Sequence, residues 1–221
     1  MAKTILTPFQ QKALSIFKKT PLSKKFYLSG GTALSEFYLH HRLSEDLDFF
    51  TQEEIDLKDL QKFINLLTKK IGIESVEFQQ GFALNIFFLT DKKEKIKHKI
   101  DFGQYPFMPI NLLRKERGIL VESLYDIAIN KTQTIITRPR LRDFIDLYFI
   151  LQKENDWNFT KLIKKSFEKF EMRTDALQIG QNLLQVKTLA DMPIMLKKID
   201  MNKVQAFFLR EIKKLESEIW K

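Results

Sequence analysis

Two aspartates one residue apart, Asp46 and Asp48, stand a single short segment downstream of the glycine pair Gly30-Gly31. On a strand, positions two apart project from one face, so both carboxylates point one way while Leu47 and Phe49 point into a core. Bare carboxylates that close repel each other, whereas a divalent cation such as magnesium stabilises both as anions. The spacing suits a two-metal site, in which ions activate an attacking oxygen, bridge a triphosphate and neutralise the pyrophosphate that leaves. The glycines let the backbone approach a ligand closely and adopt positive φ, and a helix starting there offers free N–H groups to phosphate oxygens. Each signal alone is weak, because an isolated Asp-x-Asp is more often a surface pair balanced by nearby lysines. Their conjunction reverses that preference, since Leu47, Phe49 and Phe50 pack behind the acids and a strand-glycine-helix order lies just upstream.

The elements that position these groups follow from local pattern. Phe9, Leu14, Ile16 and Phe17 among Lys and Gln predict a short amphipathic helix from Pro8 to about Lys19. Lys25 to Ser29 reads as a buried strand stopped by Gly30-Gly31, after which Thr32 can cap a helix through about His40. Asp46 to Thr51 reads as a second strand and Leu57 to Lys70 as a helix. Further strands are expected near Glu74 to Gln80, Phe82 to Thr90 and Lys95 to Phe102, which makes a mixed sheet. Phe82 to Leu89 is apolar on both alternating sets apart from Asn85, as in a central strand covered on both faces. From Glu122 onward helical periodicity dominates, with breaks at Arg138-Pro139, near Asn155 and around Pro193. The expected division is a core over residues 1–110 and a helical lobe over 111–221, with the active site in the cleft between them. Lys203 to Lys221 reads as a solvated amphipathic helix.

Composition bounds the chemistry. The 221 residues contain no cysteine, which excludes disulfides, thiolate metal ligation and thiol catalysis. Hydrophobic content of 44% with 29% charged residues describes a compact domain rather than disorder. The 20 phenylalanines are spread along the chain, as expected of core residues. Lys+Arg 37 against Asp+Glu 28 gives a net charge of +9, which favours encounters with polyanions although genomic base bias produces the same composition. The opening residues lack the pattern of a secretory signal and no apolar run approaches the roughly 18 residues that span a bilayer, so a cytoplasmic location away from membranes is expected. His40 and His41 are adjacent, without zinc-ligand spacing, and read as the end of the helix after Thr32.

Gly30-Gly31-Thr32 followed by Arg42-x-Ser44-x-Asp46-Leu47-Asp48-Phe49 resembles the AbiEii/AbiGii family of nucleotidyltransferase toxins, which share a minimal DNA polymerase β-like fold. The similarity continues through Lys99-Ile100-Asp101, Ala128-x-x-Lys131 and Arg138 to Tyr148. The resemblance implies an α/β (α+β) nucleotidyltransferase core with a mixed sheet flanked by helices. It implies that Asp46 and Asp48 bind Mg2+ or Mn2+, that Gly30, Gly31 and Thr32 hold a nucleoside triphosphate with Arg42 and Ser44 in the same motif, and that Asp101 is the third carboxylate. Alternation supports the last point by placing Lys97, Lys99 and Asp101 on one face, although a structural ion pair between Asp101 and Lys99 is the rival.

Lys131 interrupts an apolar stripe of Leu124, Ala128 and Ile135, so its charge needs an anion. The resemblance makes that anion the triphosphate; the rival is a lysine that snorkels to the surface. Asp143 and Asp146 share a helical face and are implied by the resemblance to form an active-site motif that orients Lys131 or the acceptor, while a helix salt-bridge cluster explains them almost as well. The expected reaction moves a nucleoside monophosphate from a triphosphate to a hydroxyl, with the 3′ end of a tRNA as the acceptor that the family implies, in a toxin governed by an antitoxin partner. Transfer to a small molecule, and a catalytically silent RNA-binding module of the same fold, are the alternatives.

Overall fold

The computed structural model describes residues 4–219. The opening residues, read above for a secretory signal, and the last two of Lys203 to Lys221 lie outside the described residues. The chain divides into two compact units, residues 1–123 and 124–221.

In the first unit, α1 (Pro8–Phe17) starts with a reciprocal cap in which Gln10 N–H donates to the Thr7 hydroxyl and Thr7 N–H donates to the Gln10 amide oxygen. A single turn, α2 (Leu22–Lys25), leads into β1 (Tyr27–Ser29), and α3 (Gly30–Leu34) follows without a loop. The helix continues as a wider π turn over Ser35–Leu39 and stops at His40, which adopts the left-handed conformation at φ 50. Thr32 is thus not the cap expected from the sequence. It lies inside the helix, and its hydroxyl instead donates to the Asp46 carbonyl at 2.5 Å.

The remaining elements of this unit are β2 (Leu47–Thr51), α4 (Leu57–Ile71), β3 (Ile73–Gln80), β4 (Leu84–Asp91), β5 (Lys97–Gln104), β6 (Arg114–Glu116) and β7 (Ile119–Val121). Among the described residues they form one mixed sheet of seven strands in the order β3-β4-β5-β2-β1-β7-β6. One face carries Phe49 and Phe102, stacked at 5.2 Å between centroids, with Phe17 of α1 stacked on Phe49 at 4.2 Å and Phe63 of α4 edge-on to Phe102 at 6.0 Å. These rings are essentially fully buried and are among the largest buried side chains of the unit. The other face carries Asp48 and Asp101 and is more open. β4 accordingly differs from its expected coverage on both faces: Asn85, Phe87 and Leu89 are buried, but Leu84, Ile86 and Phe88 are only half-buried, and just one strand separates β4 from solvent at the sheet edge.

On the covered face His98 stacks flat on Phe9 of α1, with centroids 3.9 Å apart. Burial lowers its pKa from the ordinary 6.5, against the opposing fields of Asp91, Glu94 and Glu45. The unfolded chain therefore binds a proton that the folded chain resists, and stability falls as the pH drops through 6.5 toward the lowered value. We expect the melting temperature to decline over that window in the parent protein and to decline less in His98→Phe, as read by a pH series of thermal melts.

The second unit contains α5 (Leu124–Thr137), α6 (Leu141–Lys153), α7 (Phe159–Phe170), α8 (Ala176–Leu184) and α9 (Met201–Ile219). Phe144, Phe159 and Phe208 meet edge-to-face at its centre. No helix among the described residues is long and apolar enough to cross a membrane.

Candidate active site

The sheet register assembles the acids. β1 and β2 are antiparallel with Ser29 opposite Asp48, while β2 and β5 are parallel with Asp48 opposite Asp101. Directly paired strand residues share a face, so Asp48 and Asp101 project together, and Ser29 places the start of α3 beside them. Asp46 sits one position ahead of β2, half-buried. Its backbone is fixed from below, since the Thr32 hydroxyl holds its carbonyl and the Gln10 amide donates to the carbonyls of Ser44 at 2.8 Å and Glu45 at 3.1 Å.

The glycine turn and the acids meet closely. Gly30 has φ +68, and a Cβ added there would run into the Asp48 carboxylate. A Cβ on Gly31 would stand 2.7 Å from both the Arg42 guanidinium and the Ser44 hydroxyl. Arg42 is buried and donates to the Leu43 carbonyl at 2.8 Å. Gly30, Gly31, Thr32, Arg42, Ser44, Asp46, Asp48 and Asp101 are therefore gathered in the first unit, around one turn.

One ammonium reaches two of the acids: Lys99 Nζ lies 2.5 Å from Asp101 Oδ2 and 3.8 Å from Asp46 Oδ2. Burial raises the Asp101 pKa, the Lys99 contact opposes that rise, and the charge of Asp46 adds to it. Burial lowers the Lys99 pKa, but its hydrogen bond to Asp101 and the fields of Asp101, Asp46 and Asp48 outweigh burial, so the net direction is upward. The other Asp101 oxygen, Oδ1, is buried without a hydrogen-bond partner. An unsatisfied buried carboxylate oxygen is costly in a finished interior and is the kind of atom a cation takes up. Among the described residues no three His, Asp or Glu are already gathered as one ligand set. The donor chemistry nevertheless fits a hard divalent cation, because Asp48 and Asp101 in register and Asp46, which shares the Lys99 ammonium with Asp101, present only oxygen ligands.

The structure also supplies residues that the sequence reading passed over. Gln10 was counted among the polar residues of an amphipathic helix, although Thr7-Pro8-Phe9-Gln10 has the spacing of a capping box and so marks a glutamine with a fixed position. Glu122, buried, accepts a very short hydrogen bond from the Ser29 hydroxyl immediately before the glycine turn. Nothing local to Glu122 announces this, because the partner lies in another strand.

In the second unit Lys131 of α5 is clamped by two acids of α6, with Nζ 2.5 Å from Asp143 Oδ1 and 2.8 Å from Asp146 Oδ2. It does not snorkel: its side chain is 11% exposed, and those of Asp143 and Asp146 are 6% and 0%. Asp143 and Asp146 thus hold the lysine rather than pairing only along their own helix, while Arg138 and Arg140 are exposed at the helix junction. Lys131→Met removes the shared cation from two buried carboxylates, and we expect a loss of about 3–5 kcal/mol in unfolding free energy by denaturant titration. Restoring much of that stability with Asp143→Asn in the same chain would identify the uncompensated charge as the cause.

Comparisons with known proteins identify the family and the fold. The family model described as nucleotidyl transferase AbiEii toxin, type IV toxin-antitoxin system, matches residues 12–219. The uncharacterized Aquifex aeolicus (strain VF5) protein aq_aa25 is 30% identical over 167 residues, covering 73% of this chain and 76% of that protein. A Helicobacter pylori structure described as a candidate nucleotidyltransferase superposes with a TM-score of 0.60 at 20% identity, covering 95% of this chain and 94% of the other. JHP933 from the same species superposes with a TM-score of 0.58 at 21% identity, covering 95% and 91%. At these identities the two structures establish the shared fold.

Proposed function

The chain belongs to the AbiEii family of nucleotidyltransferase toxins and is a nucleotidyltransferase, and we propose that it transfers a nucleoside monophosphate from a triphosphate to the 3′ hydroxyl of an RNA, a tRNA above all. The observation that carries the site assignment is the line Ser29, Asp48, Asp101 across three strands, with Gly30 packed against Asp48 at its centre. In this reading Asp46, Asp48 and Asp101 hold Mg2+ or Mn2+. The metal, when bound, supplies the positive charge that the triphosphate and the departing pyrophosphate need.

The protein's own residues have distinct tasks. The N–H groups at the start of α3, which as the first amides of a helix have no partner within it, face the phosphates, and Gly30 permits the approach that a side chain would block. Arg42 and Ser44, lying over Gly31, orient the phosphate chain. Thr32 and Gln10 keep the Ser44 to Asp46 backbone in place, a positioning role that replaces direct phosphate contact by the Thr32 hydroxyl. Asp101, whose pKa burial raises, is suited to receive the acceptor's proton. Lys131 is held within the second unit by Asp143 and Asp146.

The net charge of +9 supports a polyanionic acceptor over a small molecule, and the family supports a toxin held in check by an antitoxin in the cytoplasm. Incubation with each labelled triphosphate, magnesium and total RNA is the test. Label in RNA that falls steeply with added salt supports the proposal. Label confined to the protein, or transfer to a small hydroxyl compound with no salt dependence, overturns the RNA assignment.

A further inference from the structure

Three lysines on the β5 side of the sheet meet three different fates. Lys95 pairs with Glu74 at 2.6 Å and Lys97 with Glu77 at 2.8 Å, both on the edge strand β3. Lys99 has no such acid to use, because Glu77 is engaged by Lys97 and the next β3 residue on that face is the neutral Gln79. It turns to the catalytic carboxylates instead, onto Asp101 Oδ2 and toward Asp46 Oδ2.

We propose that Lys99 is an internal counter-ion for the carboxylate cluster, holding it together without metal and yielding its place when a divalent cation enters. This rests on the assignment of Asp46, Asp48 and Asp101 as metal ligands. Three acids near one another repel in the absence of a cation, and a single ammonium on a flexible four-carbon stem offsets that repulsion. The same ammonium stands in the way of metal: an oxygen that accepts its hydrogen bond at 2.5 Å is not free to meet a small divalent ion at about 2.1 Å. Entry of metal is then an exchange of one cation for another, and Asp101 Oδ1, buried and without a partner, is the atom left ready for it. The lysine released from Asp101 keeps a positive charge at the edge of the site, where a phosphate can take it up. Lys99 therefore sets the metal concentration at which the enzyme becomes competent.

The test is Mn2+ binding by electron paramagnetic resonance, with thermal melts in EDTA as a second readout. Lys99→Met keeps most of the stem and removes the charge; it is expected to bind Mn2+ roughly tenfold more tightly and to melt lower in EDTA, with the deficit recovered on adding Mn2+. Lys99→Arg keeps the charge and Lys97→Met removes a charge paired elsewhere, so both are expected to bind Mn2+ as the parent does. Unchanged or weaker binding by Lys99→Met overturns the proposal, as does equal tightening in Lys97→Met. If Lys99→Met does not fold in EDTA, Lys99→Gln is measured in its place under the same criteria. Parent binding that Asp48→Asn leaves untouched removes the metal-site assignment itself, and the role of Lys99 falls with it.

Discussion

Asp48→Asn is expected to lower nucleotide transfer by about a thousandfold or more while leaving the fold intact. Asparagine has the same shape, so it can occupy the space against Gly30 and keep the pairing with Ser29 and Asp101. What it lacks is the negative charge that draws a divalent cation to the carboxylates. Loss of a well-placed cation removes several kcal/mol of transition-state stabilisation, and ~4 kcal/mol corresponds to about three decades in rate. Circular dichroism and the melting temperature separate this from unfolding, and a residual rate within tenfold of the parent would deny Asp48 a central part. Asp46→Asn is expected to behave similarly, since its carboxylate shares the Lys99 ammonium with Asp101.

Gly30→Ala is expected to cost both stability and activity. Its φ of +68 is strained for any residue with a side chain, at about 1–2 kcal/mol. The larger effect comes from the methyl group, which would occupy the space of the Asp48 carboxylate. Either the turn withdraws or the acid rotates, and a displacement on the order of 1 Å in a catalytic geometry costs about a hundredfold in rate. Gly31→Ala provides the contrast: its new methyl meets the ends of the Arg42 and Ser44 side chains at 2.7 Å, which can shift without moving a strand. Single-turnover rates for the two variants, read beside their melting temperatures, are expected to show the greater loss at Gly30. A Gly30→Ala protein with parental rate would mean that the turn does not constrain the acids.

Much of the candidate site was legible because its signals are local. Asp46 and Asp48 are two apart, Gly30 and Gly31 break a strand, and Lys131 interrupts an apolar helical stripe; each follows from side-chain periodicity along one segment. The covered face of the sheet was legible for the same reason, as Ile100 and His98 alternate with Lys99 and Asp101. What escaped depends on partners distant in sequence. β6 and β7 are each three residues long and exist by pairing with each other and with β1, so no period of their own identifies them. The half-open face of β4 could not be distinguished from a covered one, because Leu84, Ile86 and Phe88 are apolar whether or not anything lies above them. Thr32 looked like a cap because threonine commonly is one, yet the helix began two residues earlier and its hydroxyl found the Asp46 carbonyl. The destination of the Lys131 charge was legible only as a need for an anion, which the structure shows to be met in part by Asp143 and Asp146.

The central claim is that the acids beside the glycine turn bind a triphosphate through divalent metal. Isothermal titration calorimetry of a non-hydrolysable nucleoside triphosphate measures it most directly, with magnesium and with EDTA, in the parent and in the Asp46→Asn, Asp48→Asn double variant. The account predicts binding in the parent that requires magnesium and disappears in the double variant. Binding of equal strength in both proteins, or binding that EDTA leaves unchanged, would contradict it.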